Sequence, residues 1–121
     1  MPHCTLEISD NIKISNKKNF LIEINKCLAN TNLFQLNDIK TRLIIHQNYI
    51  IGDSESIKAF ANLNISIFEG RNQETKNMIS EKCIEILKKQ IETENKNQKL
   101  DITVQISEIN KKSYRKTNIN I

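Results

Sequence analysis

The chain has 121 residues, 38% of them hydrophobic, only 5% aromatic and none of them tryptophan, and a net charge of +4. That length suits one domain with a modest aliphatic core, and two glycines and one proline exclude a loop-rich architecture. The basic residues occur in runs no longer than two and do not cluster beside aromatics, so nucleic acid is not an expected partner; a mild lysine excess suits a small anionic ligand instead.

The first apolar pattern is an alternation, Cys4, Leu6 and Ile8 against His3, Thr5 and Glu7, which predicts a strand closed by Ser9-Asp10-Asn11. From about Lys17 the period changes. Phe20, Leu21, Ile24, Cys27 and Leu28 fall on one helical face, stopped by Asn30–Asn32. A long β-branched stretch follows from Ile39 to Ile51, closed by Gly52-Asp53. The order then starts again. Ala61, Leu63, Ile65 and Ile67 alternate as a third strand, and Glu69-Gly70 turns the chain. A long helix from Gln73 carries Met78, Ile79, Cys83, Ile86, Leu87 and Ile91 on one face, and Ile102, Val104 and Ile106 alternate as a fourth strand. The tail from Asn110 is polar.

Strand-helix-strand therefore occurs twice, in halves of about 1–57 and 58–121 of a single domain 1–121. A crossover helix implies parallel pairing within each half and a right-handed connection. The expected fold is α+β, a doubled β-α-β unit with a four-stranded mixed sheet and both helices on one face. The face without helices is expected to be aliphatic and to drive homo-oligomer formation.

Three isolated cysteines, Cys4, Cys27 and Cys83, form no CxxC or Cys/His metal spacing. They read as buried free thiols of a reducing compartment, and no metal site is expected. No signal peptide or membrane span is recognisable, so no membrane association and a cytoplasmic location are expected.

The candidate chemistry lies at the amino end. The only proline is Pro2, behind Met1. Proline avoids helix and strand interiors, so its placement has a bland explanation. It also has a chemical one. Removal of Met1 would give Pro2 a free secondary amine, and an α-amino group titrates near ~8, within reach of general-base work at neutral pH. Arginine is scarce against 15 lysines: Arg42, Arg71 and Arg115 are the only three. An arginine kept in so lysine-rich a chain is a candidate for planar, bidentate grip on a carboxylate.

The opening Pro2-His3-Cys4-Thr5-Leu6-Glu7-Ile8-Ser9-Asp10-Asn11-Ile12 resembles the amino terminus of the 5-carboxymethyl-2-hydroxymuconate delta-isomerase family of the tautomerase superfamily. The resemblance continues through Leu33-Phe34, Ile39-Lys40-Thr41-Arg42, Ala59-Phe60, Gly70-Arg71 and Ile106-Ser107-Glu108-Ile109, across essentially the whole chain. It implies a homotrimer of doubled β-α-β units and an isomerase (tautomerase) that uses neither metal nor cofactor. It implies that Pro2 moves a proton in an unsaturated hydroxy or oxo polycarboxylate while basic residues bind the carboxylates. Arg71 matches the arginine after the third strand. Lys40 stands where the family pattern has arginine, with Arg42 two residues on along the same strand face. Lysine keeps the charge there but loses the fork. Two rival expectations accompany this one: a decarboxylase or hydratase-type reaction on the same scaffold, and a non-catalytic trimeric binding or scaffold protein. His3 and Glu7 read as structural, Phe68 and Tyr114 as pocket walls or core, and Arg115 as solvated.

Overall fold

The computed structural model describes residues 1–53 and 58–121. Two β-α-β units follow one another. The first is β1 (His3–Ser9), α1 (Lys17–Ala29) and β2 (Lys40–His46); the second is β3 (Ala59–Phe68), α2 (Gln73–Glu92) and β4 (Leu100–Ile109). Single 3-10 turns precede β2, at Leu36–Asp38, and follow β4, at Lys111–Ser113. The sheet order is β2-β1-β3-β4, with β1 parallel to β2, β3 parallel to β4, and the two units joined antiparallel through β1 and β3.

Each helix starts on an asparagine side chain. Asn16 Oδ1 accepts from the Asn19 amide at 2.9 Å, and Asn72 Oδ1 from the Thr75 amide at 2.8 Å, each satisfying one amide the first turn leaves unpaired. Asn32 then turns the chain after α1 in the left-handed region, at φ 63°. Ile79, Cys83, Leu87 and Ile91 recur every four residues on α2, and Phe20, Ile24 and Leu28 do so on α1; all are buried. They pack on Cys4, Leu6 and Ile8 of β1 and on Ala61, Leu63, Ile65 and Ile67 of β3. Leu6 and Leu63 pair across the central strands and are wholly buried. Burial of such a side chain contributes about 1.5–3 kcal/mol.

Asn95 ties the end of α2 to the segment after β1. Its amide accepts from Lys13 N at 2.8 Å and donates to Lys13 O and Ile91 O, each at 2.9 Å. It is one of the few buried polar residues, and its three bonds offset the cost of that burial.

Three expectations need correction. The β-branched stretch 39–51 makes a strand only over Lys40–His46, because β1 ends at Ser9 and offers no further partner. The helix-free face of the sheet is not aliphatic. The apolar rows of β1, β3 and β4 are spent on the helices, and the other face carries Asn62, Asn64, Ser66, Thr103, Gln105 and Ser107, with Ile44 of β2 an exposed exception. Their side chains bond across β3 and β4, as in Thr103 Oγ1 to Asn62 Oδ1 at 2.6 Å and Ser107 Oγ to Asn64 Oδ1 at 2.7 Å. Alternation alone does not say which face is polar enough to stand in water. Lastly, Cys4 and Cys83 are buried but Cys27 is half-exposed, in a groove between the helices beside Lys26, Lys82 and Lys89. Burial raises the Cys4 thiol to about 11. A hydrogen bond from Cys83, aided by the Lys82 charge, lowers Cys27 to about 7 and holds Cys83 protonated.

Candidate active site

The topology brings four strand ends together. Because β1 and β3 are antiparallel, with His3 opposite Ser66, the start of β1 lies beside the end of β3. Parallel pairing adds the start of β2 on one side and the end of β4 on the other. At that end lies a cleft of about 520 Å³, walled by Met1, the Leu33–Gln35 loop, Asp38, Phe68, Arg71, Tyr114 and Lys116.

Pro2 is fully buried at the start of β1, and its carbonyl accepts from the Lys40 amide at 3.2 Å. Its nitrogen is here the amide of the Met1–Pro2 bond. The Met1 amine, one residue further out in the cleft wall, donates to the Asp38 carbonyl at 3.4 Å. Burial lowers the pKa of that amine below its ordinary 8.0, and the positive charges of Lys40 and Lys116 push it the same way against Asp38.

Arg71 is placed by the turn before it. Gly70 adopts φ 114°, a conformation side-chain-bearing residues avoid, and the chain reverses there from β3 towards the Asn72 cap of α2. The guanidinium lies 5.1 Å from the centre of the Phe34 ring and donates from Nη2 to the Leu33 carbonyl at 3.4 Å. Ring and carbonyl together hold its plane at the cleft wall with most of its five donors unspent.

Lys40 and Arg42 share the helix-free face of β2, as the two-residue spacing requires, but neither is among the residues lining the cleft. Lys40 stands at its edge. Its Nζ donates to the same Asp38 carbonyl, at 3.3 Å, that receives the Met1 amine. Arg42 is exposed and meets His3 on the neighbouring strand, with Nη2 3.2 Å from His3 Nδ1. The structure therefore brings together Arg71, the amino end and, at the margin, Lys40; Arg42 reaches the cleft only through other side chains.

Phe68 and Tyr114 form one wall, ring edge to face at 5.1 Å. Arg115 is exposed and donates to the Lys112 and Tyr114 carbonyls of its own tail. Sequence reasoning missed Asp38 and Lys116. The Asp38 carboxylate holds Lys116 Nζ at 3.5 Å, so a cation from the polar tail is fixed at the cleft mouth. Neither carries a sequence signal, because they meet across 78 residues. Among the described residues, no cluster of three or more His, Cys, Asp or Glu side chains has the arrangement of a metal site. No helix among them is long and apolar enough to cross a membrane.

The family model for 5-carboxymethyl-2-hydroxymuconate isomerase matches residues 2–121. The chain belongs to this family. Among solved structures, a 5-carboxymethyl-2-hydroxymuconate isomerase from Deinococcus radiodurans R1 is similar at 28% identity and TM-score 0.86, over 98% of this chain and 90% of that one. A 5-carboxymethyl-2-hydroxymuconate delta-isomerase is similar at 14% identity and TM-score 0.79, over 99% and 89%. A fused 4-OT wild-type symmetric trimer shares the fold at 16% identity and TM-score 0.76, over 96% and 92%. No curated protein matches the sequence. The expected fold is borne out: a four-stranded mixed sheet with two helices on one face, on the tautomerase pattern.

Proposed function

We propose that the chain is a cofactor-independent isomerase that moves a proton along an unsaturated hydroxy or oxo polycarboxylate, such as 5-carboxymethyl-2-hydroxymuconate, with Pro2 as general base. The observation that carries this reading is the meeting of the amino end with Arg71, Lys40 and Lys116 in and around one cleft, in a chain of this isomerase family.

The chemistry follows from those groups. Removal of Met1 leaves a secondary amine on Pro2, with burial and two cations nearby. These are the causes that lower the Met1 amine, and they favour the neutral, basic form. Neutral Pro2 takes the proton of a dienol hydroxyl, leaving a dienolate and a prolinium. The prolinium returns the proton to a conjugated carbon, giving the unsaturated ketone. Nothing is lost or gained, so no cofactor is required. Arg71 binds one carboxylate through its free donors. Lys40 and Lys116 hold a second at the mouth and favour the charge that builds on the dienolate. Lys40 does this as a point charge, without the fork an arginine would supply.

We place the active form in a cytoplasmic homotrimer. The fused 4-OT relative of the same fold is a trimer, and the polar helix-free face, with its paired amides and hydroxyls, supplies hydrogen-bonding groups to neighbouring chains. The test is ultraviolet monitoring of the ketonisation of dienol diacids and triacids by protein whose mass shows Met1 removed. Loss of the dienol absorbance at a rate proportional to enzyme is expected. Absence of turnover across these acids overturns the reading.

A further inference from the structure

Two contacts on the helix-free face fix the direction of a chain of hydrogen bonds. Arg42 Nη2 lies 3.2 Å from His3 Nδ1, and His3 Nε2 lies 3.0 Å from the Tyr114 hydroxyl. A guanidinium has donors only. His3 Nδ1 must therefore accept, which leaves it without a proton. The ring then carries its proton on Nε2, and that N–H donates to the phenolic oxygen of Tyr114. With its oxygen occupied as an acceptor from His3, Tyr114 keeps its own O–H proton for another partner. The described residues provide no acceptor for that proton, and Tyr114 lines the cleft beside Met1 and Arg71.

We propose that Arg42 and His3 hold Tyr114 as a hydrogen-bond donor into the cleft, directed at the substrate oxygen on which negative charge develops. This rests on the proton-transfer reading above and adds to it the group that meets the enolate oxygen. Tyr114 transfers no proton in the net reaction; it shares one with the dienolate oxygen and keeps it when the ketone forms. Because His3 donates to its oxygen, the phenol is polarised towards giving that bond, the cooperative effect of hydrogen bonds in series. Arg42 and His3 are positioning residues. Phe68 fixes the plane of the Tyr114 ring from the side, with its ring centre 5.1 Å away. His3 stays neutral for this role: burial lowers its pKa first, then Arg42, the amino terminus and Lys40. Arg42, which does not reach the cleft itself, takes part in the site through His3.

Three measurements test it. Tyr114→Phe keeps the ring and removes the donor. It is expected to lower kcat about 10²-fold with KM little changed, the size of loss when one oxyanion donor is removed. His3→Leu should fall in the same direction, and His3→Leu/Tyr114→Phe should be no slower than Tyr114→Phe alone, because His3 acts through Tyr114. His3→Gln, whose amide can accept from Arg42 and donate to Tyr114, should recover most of the rate. Additive losses in the double variant, or an unchanged kcat in Tyr114→Phe, overturn the proposal. Two further arms need no turnover. Nitrogen-15 spectra of the His3 ring at neutral pH should show the proton on Nε2; a proton on Nδ1 overturns the chain. Calorimetric binding of 2-oxoadipate, a dicarboxylate whose keto oxygen can accept, should weaken about fivefold in Tyr114→Phe, the worth of one neutral hydrogen bond. Equal binding by both proteins overturns it. A wild type that binds this probe as described yet ketonises no dienol acid sinks the proposed reaction and leaves the hydrogen-bond chain standing.

Discussion

Replacement of Arg71 by alanine removes the one guanidinium in the cleft wall. Its stacking on Phe34, at 5.1 Å, and its bond to the Leu33 carbonyl are present before substrate arrives, so little ordering is left to offset binding. A charge-assisted bond to a carboxylate contributes about 1.5–3 kcal/mol, and a paired fork lies towards the upper end. Because the cleft is open to water at its mouth, the full strength of a buried ion pair does not apply. Arg71→Ala should therefore cost about 2–3 kcal/mol of transition-state stabilisation, a fall in kcat/KM of roughly 30- to 150-fold. Arg71→Lys should lie between, keeping the charge but losing the fork and the guanidinium's place over the Phe34 ring. The assay is the initial rate of ketonisation at several substrate concentrations. Lys88→Ala, which removes an equal charge from the exposed face of α2, serves as the control. Equal small effects from Arg71→Ala and Lys88→Ala would refute the reasoning, since net charge alone would then account for Arg71.

Asn95→Ala breaks the two bonds that join the end of α2 to Lys13 in the segment after β1 and takes that partner from the Lys13 amide and carbonyl, while the Ile91 carbonyl keeps the Glu94 amide; a loss of roughly 2–3 kcal/mol in urea unfolding, with an unchanged slope, is expected. A loss below half a kcal/mol would mean that water replaces the side chain. Cys27, lowered to about 7 while Cys4 is raised to about 11, should be the first thiol alkylated by iodoacetamide, its rate rising with pH as the thiolate forms and levelling above about 7. Peptide mapping that finds Cys4 labelled as fast would contradict that order. Sedimentation at micromolar concentration should give three times the 14.1 kDa of one chain, and a monomer alone would count against the assembly.

Much of the fold is legible in the sequence because the core is aliphatic and its periods are clean. The two-residue alternation of β3 and the four-residue spacing of Ile79, Cys83, Leu87 and Ile91 each allow one reading. The end of β2 was not legible. Ile50 and Ile51 suit a strand as well as Ile44 does, and only the length of β1 decides where pairing stops. The polar character of the helix-free face was present in Asn62, Asn64 and Ser66. It was masked by the abundance of isoleucine, most of which in β1 and β3 goes to the other side. At the site, Pro2 and Arg71 stand out by residue type, one the only proline and the other a rare arginine. Lys116, Asp38 and the Arg42–His3–Tyr114 contacts do not, because they depend on strand ends meeting in space. Arg42 shows the difference. Its spacing from Lys40 gave its face of the strand correctly, but not that its guanidinium would meet His3 instead of the cleft.

The central claim is that a free amine on Pro2 is the base. The most direct measurement compares one protein in two forms, with Met1 removed and with a retained amino-terminal extension, each verified by intact mass and by sedimentation. The processed form should ketonise dienol acids at a rate that rises with pH through a single ionisation, because only the neutral amine accepts a proton. That ionisation should lie below the ~8 of an ordinary α-amino group, the direction in which burial and Lys40 move the Met1 amine. The extended form should assemble identically and show no turnover. Equal rates from both forms would contradict the account, since an amide nitrogen has no basic lone pair to offer.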